Sequence, residues 1–208
     1  MYAPHPFAHD RVDDLLAFIQ HHPLGLLVAA NAKGETEMAL APFRAYAVGG
    51  EIGLATHLAS VNPMCPFLPE GGNVQVWFQG PQAYVSSSWY GHANVPTWNY
   101  MGVEARGKVR IMAEQELLQE LAALTAEHEA PESPVQMHRL PPAMVRGYLP
   151  HLVGLVLEEV TIKGIYKLSQ NRNQEDHARI VAALEQRGRG QDWAVAQAMR
   201  QTGTHNPQ

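Results

Sequence analysis

The chain has 208 residues, of which 46% are hydrophobic and 17% charged; this excludes intrinsic disorder and provides enough apolar surface for a core without disulfide or metal staples. Fifteen Lys and Arg against 20 Asp and Glu leave a net charge of -5, so there is no general electrostatic pull toward DNA or an anionic membrane surface. The single cysteine, Cys65, rules out an internal disulfide framework and a multi-cysteine zinc site.

The first residues, MYAPHPFAHD, carry neither a basic n-region nor an apolar h-region, and no apolar run approaches the ~18 residues of a membrane span. With one thiol, this reads as a cytoplasmic protein. Eleven histidines outnumber the charge deficit, so the surface charge should change sign in acid.

Asp10 stands at a helix N-cap, and Val12, Leu15, Leu16 and Ile19 follow on one helical face until Pro23. Leu24 to Ala30 is a continuous apolar run, which predicts a strand buried on both faces. Lys33-Gly34 and Gly49-Gly50 mark turns. Ile52, Leu54 and Thr56 share one strand face, and Ala55 and His57 the other. Val74, Val76 and Phe78 alternate with polar or bulky neighbours. The clearest strand is 103–111, with Val103, Ala105, Val109 and Ile111 on one side and Glu104, Arg106, Lys108 and Arg110 on the other.

A helix from 114 to 127 follows, and then a loop from 130 to 142 containing four prolines. Residues 152–163 return to strand. Two helices near 174–187 and 191–200, separated by Gly188-Arg189-Gly190, close the chain. This order predicts a mainly β protein with peripheral helices, an α+β fold built on an antiparallel sheet or barrel. The expected organisation is a single domain over 1–200 and a frayed tail over 201–208.

Gly102 to Val109 nearly matches a phosphate-binding P-loop, but Val109 lacks the hydroxyl that magnesium needs and the segment alternates as a strand. Ser86, Ser87 and Ser88 read as a capping turn, and His21-His22 as a favourable helix end.

Three segments carry more chemistry. Residues 80–100 hold Tyr84, Trp89, Tyr90, Trp98 and Tyr100, which must bury against the core, a second subunit or a ligand. Lys167, Ser169, Gln170, Asn171 and Arg172 gather polar donors at a strand end, either solvated or placed to recognise an anion or a polar ring. Thr56, His57, Ser60 and Asn62 leave a strand at a corner of the type that holds phosphate through side-chain donors and free N–H groups.

Taken together these segments resemble the PaiB family of FMN-binding negative transcriptional regulators. The resemblance runs from MYAPHPF to about Leu184. It rests on Gly80-Pro81, Ala83-Tyr84, Ser88-Trp89-Tyr90, Val95-Pro-Thr-Trp-Asn-Tyr100, Leu124-Thr125, His128-Glu129 and Lys167-Leu-Ser-Gln-Asn-Arg172. It implies a split β-barrel of the FMN-binding, pyridoxamine-phosphate-oxidase type, usually a homodimer with the flavin at the subunit interface. Thr56, His57, Ser60 and Asn62 would then lie near the flavin phosphate, Tyr90 and Trp98 near its rings, and Lys167, Ser169, Gln170 and Arg172 would add polar contacts.

The chain departs from the family pattern at Leu40, Gln82 and Glu104, where the family has His, and at Ser60, where it has Arg. Loss of that Arg removes a bidentate phosphate donor and weakens FMN binding unless Lys167, Arg172 or Arg106 compensates. The resemblance leaves flavin-dependent oxidoreductase and ligand-sensing roles both open. Haem binding or degradation is the alternative, as is a barrel without flavin that acts through DNA or a protein partner. Arg187, Arg189 and Arg200 form the best basic patch, but no helix-turn-helix pattern accompanies it.

Overall fold

A computed structural model describes residues 1–204; the end of the expected tail, 205–208, lies outside the described residues. Eight strands are present: β1 (Ala8–His9), β2 (Leu24–Ala30), β3 (Thr36–Pro42), β4 (Arg44–Val48), β5 (Glu51–Ala59), β6 (Asn73–Val85), β7 (Thr97–Ile111) and β8 (Leu152–Lys167). Five helices accompany them: α1 (Val12–His21), α2 (Glu114–His128), α3 (Pro142–Tyr148), α4 (Gln174–Arg187) and α5 (Asp192–Thr202). The strands form one sheet in the order β3-β2-β6-β7-β8-β5-β4, with β1 added against β8. The pairs β1/β8, β2/β3, β2/β6, β4/β5 and β5/β8 are antiparallel. This is the expected α+β class with an antiparallel sheet.

The chain divides into two compact units. One comprises 19–78 and 105–161, the other 1–18, 79–104 and 162–204; β6, β7 and β8 contribute a stretch to each.

In the first unit β3 and β4 stand at opposite ends of the strand order, yet a single residue, Phe43, joins them. The sheet must therefore curl enough to bring the end of β3 beside the start of β4. Phe43 is fully buried and meets Phe78 edge-on, with ring centroids 5.5 Å apart. Gly25 makes room for both rings, because a Cβ there would come within 2.7 Å of Phe78 and 3.0 Å of Phe43. The Thr56 hydroxyl donates to the Pro42 carbonyl at 2.7 Å and ties β5 to the end of β3 at this seam. Leu27, Leu54, Met64, Val76, Phe78, Val109 and Leu155 fill the interior. Outside, α2 covers Ala55, Met112 and Val156 with Leu117.

β2 has the expected bounds but not the expected burial. Gly25, Leu27 and Ala29 are buried, whereas Leu24 is 57% exposed. The strand is one wall of a curled sheet, so only its inner face meets the core, and hydrophobicity on both faces has a different meaning here. α3 falls where a loop was expected to end, because Pro142 occupies the first turn of a helix, where its missing N–H costs nothing. The strand expected at 103–111 begins earlier, at Thr97, and the one expected at 152–163 continues to Lys167.

In the second unit α4 and α5 pack together as a hairpin, burying Ile180, Val181, Leu184, Val195 and Met199. Gly188 and Gly190 both adopt positive φ, 55° and 54°, at the turn between them.

Candidate functional site

The second unit gathers most of the polar residues singled out above. β8 delivers Lys167 to the start of β7, where its ammonium donates to Thr97 Oγ1 at 2.6 Å. The chain then turns sharply. Ser169 adopts φ 60°, a left-handed conformation rare for a residue with a Cβ. Its hydroxyl donates to Asn99 Oδ1 at 3.0 Å, while Asn99 donates to the Met199 sulfur at 3.4 Å. Gln170 accepts from the Leu168 N–H at 2.7 Å and donates to the Tyr166 carbonyl. Ser169 and Gln170 are both buried, so these residues serve as the frame of the turn.

Arg172 leaves this turn with its guanidinium 5.0 Å from the centre of the Tyr90 ring. Both groups have buried atoms without partners: Arg172 Nε and the Tyr90 hydroxyl have no hydrogen-bond partner. Lys167 is held below its ordinary pKa, first by burial and then by the neighbouring Arg172 charge. Two cations thus lie close together without a bonded carboxylate among the described residues.

The first turn of α4 closes the other side of this corner. Asn173 caps the helix by accepting from the Asp176 N–H at 2.8 Å. Asp176 in turn accepts from the Gly91 N–H at 2.8 Å and faces His92 Nδ1 at 3.3 Å, pinning the loop after Tyr90. Its carboxyl is held below the usual range, mainly by the Gly91 hydrogen bond. The Asn-x-x-Asp spacing was a capping signal available in the sequence, whereas the roles of Thr97, Asn99 and Gly91 depend on tertiary contacts.

A second polar lock lies at the α4–α5 turn. Arg187 grips Asp192 at 2.6 and 2.7 Å, donates to the Tyr84 carbonyl and covers the Trp89 ring at 4.8 Å. Asp192 is buried and its carboxyl is held low, chiefly by Arg187. Its native pKa therefore lies below the unfolded value of about 4, and its contribution to stability is present above that value and lost as pH falls through the native pKa. We expect Asp192→Asn to be less stable at neutral pH and to lose this part of the acid dependence; denaturant titrations from pH 3 to 7 check both.

Trp98 does not join the Lys167 corner. Strand alternation puts it on the face of β7 opposite to Thr97 and Asn99, where its indole N–H donates to Gln82 Oε1 at 3.0 Å and its ring meets Tyr84 edge-on. The Gln82 backbone N–H donates to Oε1 of Gln191, the residue before α5, at 3.1 Å. Glu104 is bonded to the Met1 amino group at 3.2 Å.

Thr56, His57, Ser60 and Asn62 belong to the other unit. Thr56 is buried and its proton is committed to Pro42. His57 is half-buried, and burial lowers its pKa and favours the neutral imidazole. The Ser60 N–H donates to the His151 carbonyl, and Asn62 Oδ1 accepts from the Met64 N–H. Three cations of this unit are taken by glutamates: Arg44 by Glu120 at 2.6 and 2.8 Å, Lys108 by Glu159, and Arg110 by Glu116 and Glu158. Leu40 is 65% exposed on β3. Among the described residues no cluster of His, Cys, Asp and Glu is arranged to hold a metal ion.

The donor set of the Lys167 corner fits a phosphorylated, ring-bearing ligand: two cations without a bonded carboxylate among the described residues, an unpaired phenol and an unpaired guanidinium N–H. An antiparallel sheet of this strand order with accompanying helices is the split-barrel fold. The solved structures agree on the fold. The FAD and heme binding protein from Mycobacterium smegmatis superposes with a TM-score of 0.59 at 18% identity, covering 77% of this chain and 73% of that one. The flavocytochrome Anf3 from Azotobacter vinelandii gives 0.61 at 14% identity, over 86% and 78%.

Within that fold the chain belongs to the family described as "Putative FMN-binding domain", which matches residues 1–164. It is 32% identical over 186 residues to "Protease synthase and sporulation protein PAI 2" of Bacillus subtilis strain 168, covering 89% of each chain. The PaiB resemblance read from the sequence is thereby shown. No helix among the described residues is long and apolar enough to cross a membrane.

Proposed function

We propose that this protein binds FMN and that Lys167 and Arg172 hold its phosphate. The observation that carries this reading is the pair of neighbouring cations, with no bonded carboxylate among the described residues, beside a buried and unpaired Tyr90 hydroxyl. An unbalanced pair of like charges raises the energy of the folded chain, and a dianionic phosphate offsets that cost. The bound flavin supplies the redox chemistry, while the chain binds, orients and shields it.

Titration of the purified protein with FMN, following flavin fluorescence and the visible spectrum, tests this reading. Saturable quenching by FMN and much weaker quenching by riboflavin are expected; no response to either removes the proposal. The same titration with haemin, read in the Soret region, tests the haem alternative.

We also propose that a second copy of the chain docks on the β2–β3 face. β2 and β3 pair Leu26 with Leu40 and Val28 with Met38, and the exposed Leu24, Met38 and Leu40 extend an apolar ladder along the pair. Such a face favours burial against its own symmetry mate. Leu40→Glu is expected to convert a dimer to a monomer, as read by sedimentation velocity; an unchanged mass would exclude this face. Direct DNA contact finds less support, because two arginines of the basic patch, Arg187 and Arg200, are bonded to Asp192 and Glu185.

A further inference from the structure

The motif Leu124-Thr125 with His128-Glu129 falls at the end of α2, which the flavin reading does not use. A groove of about 370 Å³ lies there, against the last turn of α2 and the start of β4. Pro23 and Leu124 line it half-buried, and Phe43 and Ala45 line it buried. Arg44 and Glu127 bring opposite charges to it, and Gln20 and His128 complete the lining. All of these residues belong to the unit of 19–78 and 105–161, and none belongs to the Lys167 corner.

Arg44 is committed on one side only. Its Nε and Nη2 donate to Glu120 at 2.8 and 2.6 Å, a mostly buried bidentate pair that fixes the guanidinium in place. Its Nη1 faces Glu127 at 3.8 Å, too far for a hydrogen bond. Neither Nη1 nor the Glu127 carboxylate has a closer polar partner among the described residues. Since Glu120 already balances Arg44, the Glu127 charge is left over. Glu127 also stands in the last turn of α2, at the negative end of the helix dipole, where a carboxylate is unfavourable and a cation is favourable. The groove therefore offers unused N–H donors of a pinned cation beside a carboxylate that lacks a cation, next to an apolar wall.

We propose that this groove binds a free α-amino acid with an apolar side chain. The ligand's carboxylate accepts from Arg44 Nη1, its ammonium donates to Glu127, and its side chain lies against Pro23 and Leu124. The two charges of an α-amino acid share one carbon and lie a few ångströms apart, as Nη1 and the Glu127 carboxylate do, so the two dipoles pair head to tail. A simple amine would set its charge beside Arg44, and a simple carboxylic acid beside Glu127; each then meets a like charge that the zwitterion offsets. A charged side chain finds no partner on the apolar wall. The volume falls within the range of small-molecule sites.

The test is a titration of the full chain, ¹³C-labelled at its leucine methyl groups, with L-valine, L-leucine and L-methionine. The controls are the corresponding acids without the ammonium group and the corresponding amines without the carboxylate. At least one of the amino acids is expected to saturate at millimolar concentration or below and to move the Leu124 methyl resonances, with both of its controls weaker by about tenfold or more. Glu127→Gln, at an exposed position, is expected to weaken binding by about tenfold or more. The same substitution should leave the melting temperature of the ligand-free protein unchanged or higher, because it removes a carboxylate from a helix C-terminus. The proposal is overturned by no saturation with any of the amino acids, by an acid or amine control that binds as tightly, or by Leu124 resonances that do not move at saturation. Undiminished binding by Glu127→Gln also overturns it. So does a lower melting temperature of ligand-free Glu127→Gln, which would make Glu127 a structural partner of Arg44.

Discussion

Replacing Lys167 and Arg172 together by Met is expected to weaken FMN binding by about 10²- to 10⁴-fold, since each hydrogen bond to a charged group contributes roughly 1.5–3 kcal/mol. Riboflavin, which lacks the phosphate, should bind wild type and variant alike. The apo double variant should unfold at the same temperature as wild type or higher, because the substitutions remove two neighbouring positive charges that repel each other. Affinity and stability thus move in different directions, which separates a phosphate-binding pair from a structural one. Raising the salt concentration should weaken FMN binding to wild type more than to the variant. Fluorescence titrations of both flavins at two ionic strengths, with thermal melts of the apo proteins, provide the check. Equal losses of FMN and riboflavin would assign the pair to the ring system or to the frame, and the phosphate would have to be sought elsewhere.

The second large effect is expected at the barrel seam. Phe43→Ala should destabilise the protein by about 3–5 kcal/mol, the range for deleting a buried aromatic ring. For a chain of this size that corresponds to a fall in melting temperature of roughly 6–20 °C. Phe43 is the single residue between β3 and β4, it packs edge-on against Phe78, and Gly25 provides its space. The cavity cannot collapse easily, because the two strand ends it joins are held by the Thr56–Pro42 hydrogen bond and by the Phe43 N–H donating to the Pro23 carbonyl. Phe43→Leu should recover much of the loss by refilling the volume. Chemical denaturation of the three proteins measures both changes. A loss below about 1 kcal/mol for Phe43→Ala would show that this seam does not hold the sheet closed.

Local pattern made most elements legible. The 3.6-residue spacing of Leu15 and Ile19 marks α1, the alternation of Val74, Val76 and Phe78 marks β6, and Gly188 and Gly190 mark the turn between α4 and α5. These signals depend only on neighbours along the chain and survive in the folded protein. The burial of β2 was misread for a reason that lies beyond local pattern. Leu24 to Ala30 is apolar throughout, but its outer side chains belong to an exposed ladder with β3 and not to a second core. Hydrophobicity reports that a surface is to be covered; it does not report whether the covering group belongs to the same chain.

The candidate site was legible in composition but not in grouping. The Lys167–Arg172 run could be singled out as a donor-rich strand end, and Tyr90 as an aromatic that needs a partner. Their juxtaposition requires β7, β8 and the start of α4 to converge, so it depends on contacts across some eighty residues of chain, such as Arg172 over Tyr90. Trp98 shows the reverse. It is one residue from Thr97 and Asn99, yet the pleat of β7 sends it to the other face, against Tyr84 and Gln82. Thr56, a hydroxyl at a strand corner, is committed to closing the sheet.

By itself, then, the sequence determined which segments are strand or helix, the antiparallel α+β class and the family resemblance, because periodicity, turn residues and short motifs are local properties. The tertiary structure decided which cations remain without a bonded carboxylate. Arg44, Lys108, Arg110 and Arg187 meet carboxylates only through folding, whereas among the described residues Lys167 meets Thr97 and Arg172 meets Tyr90. Charge balance is a property of positions in space, and over distances of a few ångströms it is set by how the strands pair and not by the order of residues along the chain.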